Sequence, residues 1–255
     1  MTTITADDAA TPPTKVATDL PVNDRSRILI YLAVLVFILG FGSPFGGLIS
    51  LPITFFLKNK LHMKAHEVAG FLAISGIPLY LGFLCGFIRD SWNPFGRRDR
   101  GYMMLFGAIC AALYVIFAFV PVNATTLLAA VILMTTAFLF VQSGQTGLGS
   151  TIARQHVMTG QLSSVLNVVA GVAGTIPLIV GGYLSNMLEG ENAAKAARLL
   201  FLAGAVIMGG VALFAAWRPS VVYDNVHAEQ GKVVHPLSDI VRLFKHWPAV
   251  PALLI

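Results

Sequence analysis

The sequence predicts an all-α integral membrane protein, a bundle of six transmembrane helices followed by the start of a seventh. The first observation behind this prediction is composition, because 56% of the 255 residues are hydrophobic and only 11% are charged. The second is a set of six apolar runs long enough to cross a bilayer core of about 30 Å, which takes roughly 20 helical residues. The third is an uneven distribution of Lys and Arg between the connections, which is typical of multi-pass proteins.

The apolar runs define the predicted helices in chain order. The six complete runs cover residues 28–57, 68–88, 101–120, 125–150, 161–186 and 197–217, and a seventh begins near Trp247. The first run is long and contains Pro44 and Pro52, so we expect it to kink or tilt. Because the last residues are apolar and have no polar flank, we expect the chain to be a fragment or a truncated product of something longer.

The segments outside these runs complete the predicted domain organisation. Residues 1–27 are polar, acidic and rich in Thr and Pro, which predicts a disordered cytoplasmic tail before the six-helix domain at 28–217. Residues 218–246 are predicted to form a cytoplasmic inter-domain loop, and residues 247–255 the start of a truncated seventh helix. The end of that loop is consistent with a short amphipathic helix on the inner membrane surface, or with a helical lead into the seventh span.

The positions of the basic residues predict the orientation of the helices. Of the 17 Lys and Arg, 12 fall in the N-terminal tail and the even-numbered connections, and the other 5 in the odd-numbered connections. Because cytoplasmic flanks carry the excess, we expect a cytoplasmic N-terminus and a location in the cell membrane, the inner membrane in a Gram-negative cell. The net charge of +5 follows from this bias, so we expect no nucleic-acid partner.

Polar side chains within the spans predict a hydrated cavity lined by the first, fourth and fifth helices. In the fourth helix the polar positions follow a 3-4 spacing and share one face, where amides buried in hydrocarbon would need partners. The candidates for contact with a solute are Gln142, Gln145, Thr146 and Asn167. The alternative for these side chains is hydrogen bonding between helices, without any contact to a solute.

Glycine is concentrated where we expect helices to approach closely or to bend. The candidate packing or bending positions are Gly42 and Gly46, in a G-x-x-x-G step, and Gly171, Gly174, Pro177, Gly181 and Gly182. The stretch "SPFGGLIS" and the stretch "SGQTGLGS" share Ser, Gly-Leu and Ser at equal offsets. Their positions in the first and fourth helices predict a repeat of three helices plus three.

Catalytic and metal chemistry finds little support in the sequence. Cys85 and Cys110 fall within predicted spans, where we expect them to be apolar packing residues. There is no His-rich metal set, no pair of intramembrane carboxylates and no G-x-S-x-G turn, so we expect no enzyme activity, no metal and no cofactor. His156 could titrate near neutral pH, but we expect it to be a solvated histidine in a cytoplasmic loop.

The densest charge cluster lies between the second and third spans, in "GFIRDSWNPFGRRDRGYMML". An Asp at the end of one helix can accept hydrogen bonds from an Arg or from the N-terminal amides of a neighbouring helix. Such a contact would act as a latch if it formed in only one arrangement of the helices. The candidate latch residues are Gly86, Asp90, Gly96, Arg97, Arg98 and Arg100. The alternative is that the Arg residues only fix the topology.

This cluster resembles the signature of the major facilitator superfamily, G-x-x-x-D followed by G-R-R and further basic residues. The resemblance covers residues 28–217 and implies the N-terminal six-helix half of a twelve-helix transporter. It differs in spacing, because "DSWNPFG" places Gly96 six residues after Asp90, where the family usually has three. The longer loop, with "PFGRRDRGY", is similar to the folate-biopterin transporter and muropeptide permease branches.

The resemblance implies a secondary active or facilitative transporter that moves a small solute across the bilayer by alternating access. It also implies a C-terminal half of the same transporter as a partner, a latch role for the candidate motif, and a coupling proton or ion. The alternative function is a non-transporting membrane sensor or assembly factor on the same scaffold.

Overall fold

The computed structural model describes residues 21–189 and 193–223, and within these ranges it contains six helical segments long and apolar enough to span a membrane. These segments are Val22–Lys60, Ala65–Ser91, Arg98–Phe119, Ala124–Gln155, Thr159–Asn186 and Lys195–Ala216. The predicted all-α class with six spans is therefore confirmed. Most of the predicted tail, most of the inter-domain loop and the start of the seventh helix lie outside the described residues.

The first span is a broken helix. Helix α1 runs over Val22–Gly42, helix α2 over Gly47–Phe55, and a π-helical turn over Phe56–Lys60. Helix α1 stops where it does because Ser43 precedes a proline, and the proline ring disfavours the helical conformation of the residue before it. Ser43 accordingly has φ −66° and ψ 122°, which is extended. The kink expected from Pro44 is thus a complete interruption of four residues, 43–46.

The second span is also irregular. It consists of α3 (Ala65–Ser75), α4 (Ile77–Tyr80) and α5 (Gly82–Ser91), which follow one another with single-residue interruptions at Gly76 and Leu81. Pro78 lies within α4 and cannot donate a backbone hydrogen bond to the preceding turn, which explains a weakened helix at this point. A 3-10 turn at Pro94–Gly96 then leads into the third span.

The last four spans are long, uninterrupted helices. Helix α6 covers Arg98–Phe119, α7 covers Ala124–Gln155, α8 covers Thr159–Glu189 and α9 covers Ala193–Ala216, with a short α10 at Ser220–Tyr223. Helix α7 begins with a capping box, because the Thr126 amide donates to Asn123 Oδ1 at 2.9 Å and the Asn123 amide donates to Thr126 Oγ1 at 3.0 Å.

The helices pack in two groups that share a common core. Helix α6 packs mainly against α7 and α9, and α8 packs mainly against α1 and α2. Tyr114 of α6 is fully buried at the junction, where its hydroxyl donates to the Gly42 carbonyl oxygen at 3.2 Å. Large apolar side chains such as Ile179, Val206 and Leu213 are exposed on the outside, as expected for surfaces that face lipid.

Candidate functional site

A cavity of about 320 Å³ lies between α1, α7 and α8. Its volume falls at the lower end of the range for small-molecule sites, about 300–1,000 Å³. The three spans around it are the three whose polar side chains predicted a hydrated interior. The residues that line it are Val36, Leu39, Gly40, Ser43, Phe45, Gly46, Phe138, Gln142, Gln145, Ala170, Ala173 and Gly174.

Two of the four candidate solute contacts lie in the wall of this cavity. Gln142 is an exposed residue, whereas Gln145 is only 8% exposed. Thr146 is not among the lining residues, but its hydroxyl donates to Gln145 Oε1 at 3.4 Å. Asn167 is an exposed residue of α8 outside the cavity wall. The structure therefore brings together Gln142 and Gln145, with Thr146 beside them.

The break in the first span forms one side of the cavity. Both ends of the interruption, Ser43 and Gly46, line it, and the Gly46 amide donates to the Ser43 carbonyl oxygen at 3.0 Å. Ser43 is 5% exposed, and its hydroxyl has no hydrogen-bond partner within the described part of the chain. A polar atom in this position is unusual, since buried hydroxyl groups are normally paired.

The predicted packing glycines divide into two kinds. At Gly181 a side chain would collide with backbone, because an added Cβ would lie 2.9 Å from the Gly47 carbonyl carbon and 3.2 Å from Leu48 Cα. At Gly42 an added Cβ would lie 2.6 Å from the sulfur atom of Met208 in α9. Gly46 is not inside a helix but forms the N-cap of α2, so the G-x-x-x-G step spans the break and is not a continuous helical face.

Three other glycines of α8 have free space where a side chain would begin. An added Cβ at Gly171, Gly174 or Gly182 would meet no atom within 4 Å in the described structure. Pro177 lies inside α8 and removes the hydrogen bond that would reach the Ala173 carbonyl, four residues earlier. Close approach of another described residue therefore does not require glycine at these three positions, and a role in bending α8 stays a prediction.

The loop motif, defined as residues 86–100, turns sharply between α5 and α6. Phe95 and Gly96 have left-handed φ values of 57° and 62°, and Arg98 has a φ of 46°. The Arg98 amide donates to Asn93 Oδ1 at 2.6 Å, which holds the turn closed. The longer spacing between Asp90 and Gly96 is thus accommodated by a 3-10 turn at Pro94–Gly96.

Arg89 is the centre of the polar contacts in the loop motif. Its Nε and one terminal nitrogen donate to Asp90 Oδ1 at 3.1 and 2.8 Å, and its other terminal nitrogen donates to the Ser143 carbonyl oxygen of α7 at 2.9 Å. Its Nε also lies 3.4 Å from Asp99 Oδ1. Sequence reasoning used Arg89 only to set the orientation of the helices, and its position next to Asp90 was the signal that could have identified it.

Gly147 and Gly144 make room for this cluster on α7. An added Cβ at Gly147 would collide with a terminal nitrogen of Arg89 and lie 2.7 Å from Asp99 Oδ1. At Gly144 it would lie 2.8 Å from the Asp99 carbonyl oxygen. The two glycines therefore let the ends of α5 and α6 approach the backbone of α7 closely. From the sequence, Gly147 stood out only as part of the shared Gly-Leu in "SGQTGLGS", and neither glycine was predicted to lie near the loop motif.

The other Arg residues of the motif have different partners. Arg97 is exposed and directs a terminal nitrogen towards Met104 Sδ at 3.8 Å. Arg100 donates from Nε to the Ala215 carbonyl oxygen at 2.7 Å and from a terminal nitrogen to the Ala216 carbonyl oxygen, so it satisfies the C-terminal end of α9. In this arrangement Asp90 is paired with Arg89, a partner that the sequence analysis did not propose, and its side chain remains 47% exposed.

Arg100 also contacts an aromatic cluster at the same end of the bundle. Its guanidinium lies 5.5 Å from the ring centroid of Tyr223, whose hydroxyl is 2.9 Å from the hydroxyl of Tyr31. Burial raises the pKa of Tyr223, which further favours the protonated hydroxyl in this contact with Tyr31. The loop motif is therefore connected to α1, α7, α9 and α10.

His156 is not solvated, contrary to expectation. It caps the C-terminus of α7 and is 5% exposed, and its Nδ1 has no hydrogen-bond partner within the described residues. The connection between α7 and α8 is only three residues long, 156–158, and this tight turn places the imidazole inside the bundle.

These features define a class of protein: a multi-pass membrane protein with a cavity between its helices, whose largely apolar wall carries the polar side chains of Ser43, Gln142 and Gln145. In the described ranges, no group of three or more His, Cys, Asp and Glu residues could hold a metal ion. The family model that matches the sequence is that of the BT1 family, over residues 45–240. The chain belongs to the BT1 family, a folate-biopterin transporter family related to the major facilitator superfamily. Neither a curated protein nor a solved structure matches the sequence significantly.

Proposed function

We propose that the chain moves a small solute across the membrane by alternating access, as a secondary active or facilitative transporter. The observation that carries the proposal is the cavity with two Gln side chains, which lies between three spans of a protein from a transporter family. In this proposal the six helices rock against a C-terminal half of the same transporter, with the N-terminus in the cytoplasm. Among the described residues that line the cavity none has a charged side chain, so we place the group that couples any proton or ion outside this cavity.

A transport assay tests the proposal directly. Purified full-length protein in liposomes should take up at least one member of a broad panel of small polar solutes, and the uptake should saturate. Protein-free liposomes give the background. Failure with every solute, from protein that is folded and correctly inserted, would contradict the proposal and favour a sensor or an assembly factor.

Removal of both cavity amides should weaken solute binding more than it slows transport. We expect the double substitution Gln142→Ala with Gln145→Ala to raise the KM of uptake by about tenfold or more, because each lost hydrogen bond contributes about 1 kcal/mol. Asn167→Ala, on the exposed face of α8, is the matched control and should leave KM unchanged. An unchanged KM in the double variant would remove these amides from the site.

Asp90 should act on the rate of the conformational cycle. Its Oδ1 is oriented by Arg89 while its side chain is half exposed, so the carboxylate is available to a second helix that approaches the loop motif. We expect Asp90→Asn to slow transport by about tenfold without a large change in KM, because a charged hydrogen bond is replaced by a neutral one. Asp24→Asn, in the first turn of α1, is the control. Normal transport at normal membrane levels of Asp90→Asn would exclude the latch.

A further inference from the structure

The interrupted first span places the N-cap residue of helix α2, Gly46, in the wall of the cavity. Helix α2 has nine residues, and its N-cap, Gly46, offers no side chain to the first amides. The first backbone bonds onto Gly46 come from Ile49 and Ser50, at 3.1 and 2.9 Å to the carbonyl oxygen of Gly46. The amides of Gly47 and Leu48 come earlier in the chain than these two donors and have no acceptor within the helix. They carry the partial positive charge of the helix N-terminus.

A second, independent feature at the same place is the hydroxyl of Ser43. Ser43 lines the cavity, and only 5% of its surface is exposed. Its Oγ has no hydrogen-bond partner within the described residues. A buried hydroxyl without a partner costs free energy, which a bound group could recover by accepting its hydrogen bond. The side chain is therefore suited to a ligand that brings an acceptor.

The two helix ends that meet at the break differ in their side-chain partners. The last carbonyl of α1, at Gly42, accepts the Tyr114 hydroxyl at 3.2 Å from α6. No side chain caps the start of α2, only four residues further along the chain. The N-terminal amides of α2 thus have no side-chain cap, and their partial positive charge favours an anionic partner.

The other residues of the cavity wall indicate which type of anion the cavity could bind. The NH₂ groups of Gln142 and Gln145 add further donors, and none of the lining residues in the described structure is Lys or Arg. A dianion such as phosphate would be poorly compensated without a cation, whereas a carboxylate carries one charge and accepts several hydrogen bonds. A half-helix N-terminus is a known type of site for a substrate carboxylate in transporters with broken helices.

We propose that the break at 43–46 is a carboxylate subsite, in which Ser43 Oγ and the N-terminus of α2 bind the carboxylate of the solute. That the bound solute is also transported rests on the proposed function, whereas the preference of the site for an anion does not. The subsite makes the cavity polar at one end, while Phe138, Phe45 and Leu39 provide an apolar surface for the remainder of the solute.

Thiol labelling of the full-length protein tests the subsite without any knowledge of the solute. In a background with Cys85→Ala and Cys110→Ala, Ser43→Cys is treated with the anionic sulfonatoethyl methanethiosulfonate and with the cationic trimethylammonioethyl methanethiosulfonate. Ser164→Cys, exposed on α8 and outside the cavity wall, corrects for the intrinsic reactivity of the two reagents. We expect the ratio of anionic to cationic rates to be about tenfold higher at position 43 than at position 164.

The labelling rates distinguish a carboxylate subsite from its absence. A ratio at position 43 that equals or falls below the ratio at position 164 overturns the subsite, and so does a lack of reaction with both reagents. If Ser43→Cys does not fold, Phe45→Cys in the same turn, which lines the cavity and is 39% exposed, takes its place with the same expectation. An anion preference in a protein that transports nothing would support the subsite and contradict the proposed function, so the two failures are distinguishable.

Discussion

Gly181→Ala is expected to destabilise the protein strongly. The new methyl group would collide with the Gly47 carbonyl oxygen and lie 2.9 Å from its carbon, and neither backbone can move without separating α8 from α2. Overpacking of this kind typically costs about 1–3 kcal/mol, and a backbone contact leaves little room for relaxation. Thermal unfolding of the purified protein in detergent should therefore shift down by several degrees, with lower yield from the membrane.

The neighbouring residue provides the control. An added Cβ at Gly182 would meet no atom within 4 Å of the described structure, although it changes the same helix by the same methyl group. Gly182→Ala should be neutral or slightly stabilising, because alanine favours helix more than glycine does by about 1 kcal/mol. Equal unfolding temperatures for the two variants would show that α2 and α8 do not meet as closely as described.

Arg89→Gln is expected to have the second large effect. The substitution removes the ion pairs with Asp90 and Asp99 and the hydrogen bond to the Ser143 carbonyl, and it leaves the Asp99 carboxylate, only 20% exposed, without this partner. We expect a loss of about 1–3 kcal/mol in stability, less than for a fully buried pair because the side chain of Arg89 is itself 23% exposed. Thermal unfolding in detergent measures the loss.

Two further variants separate the role of Arg89 from a general effect of charge removal. Arg97→Gln removes the same charge from the same loop motif, but Arg97 is exposed and should have little effect. Asp99→Asn combined with Arg89→Gln should recover part of the stability, since both partners are then neutral. Additive losses in the double variant would contradict a direct interaction between Arg89 and Asp99.

Much of the architecture could be predicted because hydrophobicity and length determine where helices can cross a bilayer. The six spans, the disruption near Pro44 and the gathering of polar spans around one cavity all follow from local composition. The exact break could not be predicted, because a proline in a membrane helix can produce a kink or an interruption, depending on how its neighbours satisfy the backbone. Here the Tyr114 hydroxyl, 72 positions away in sequence, helps to do so.

The contacts of the loop motif could not be predicted for a related reason. Sequence spacing indicates which residues are near one another along a helix, but it gives no distance between α5 and the middle of the chain at Ser143 and Gly147. From the sequence, Arg89 could therefore not be distinguished from the other basic residues that predict the orientation of the helices. His156 was misjudged on similar grounds, because its position in a short connection suggested solvent, whereas packing of α7 and α8 buries it.

The measurement that tests the account most directly is protection of a cavity cysteine by a transported solute. In the background without Cys85 and Cys110, Gln142→Cys is labelled with sulfonatoethyl methanethiosulfonate at increasing concentrations of a solute found in the uptake panel. We predict that labelling slows, and that the solute concentration for half protection matches the KM of uptake by the same variant. Full labelling at saturating solute, with transport intact, would show that the solute does not bind in this cavity.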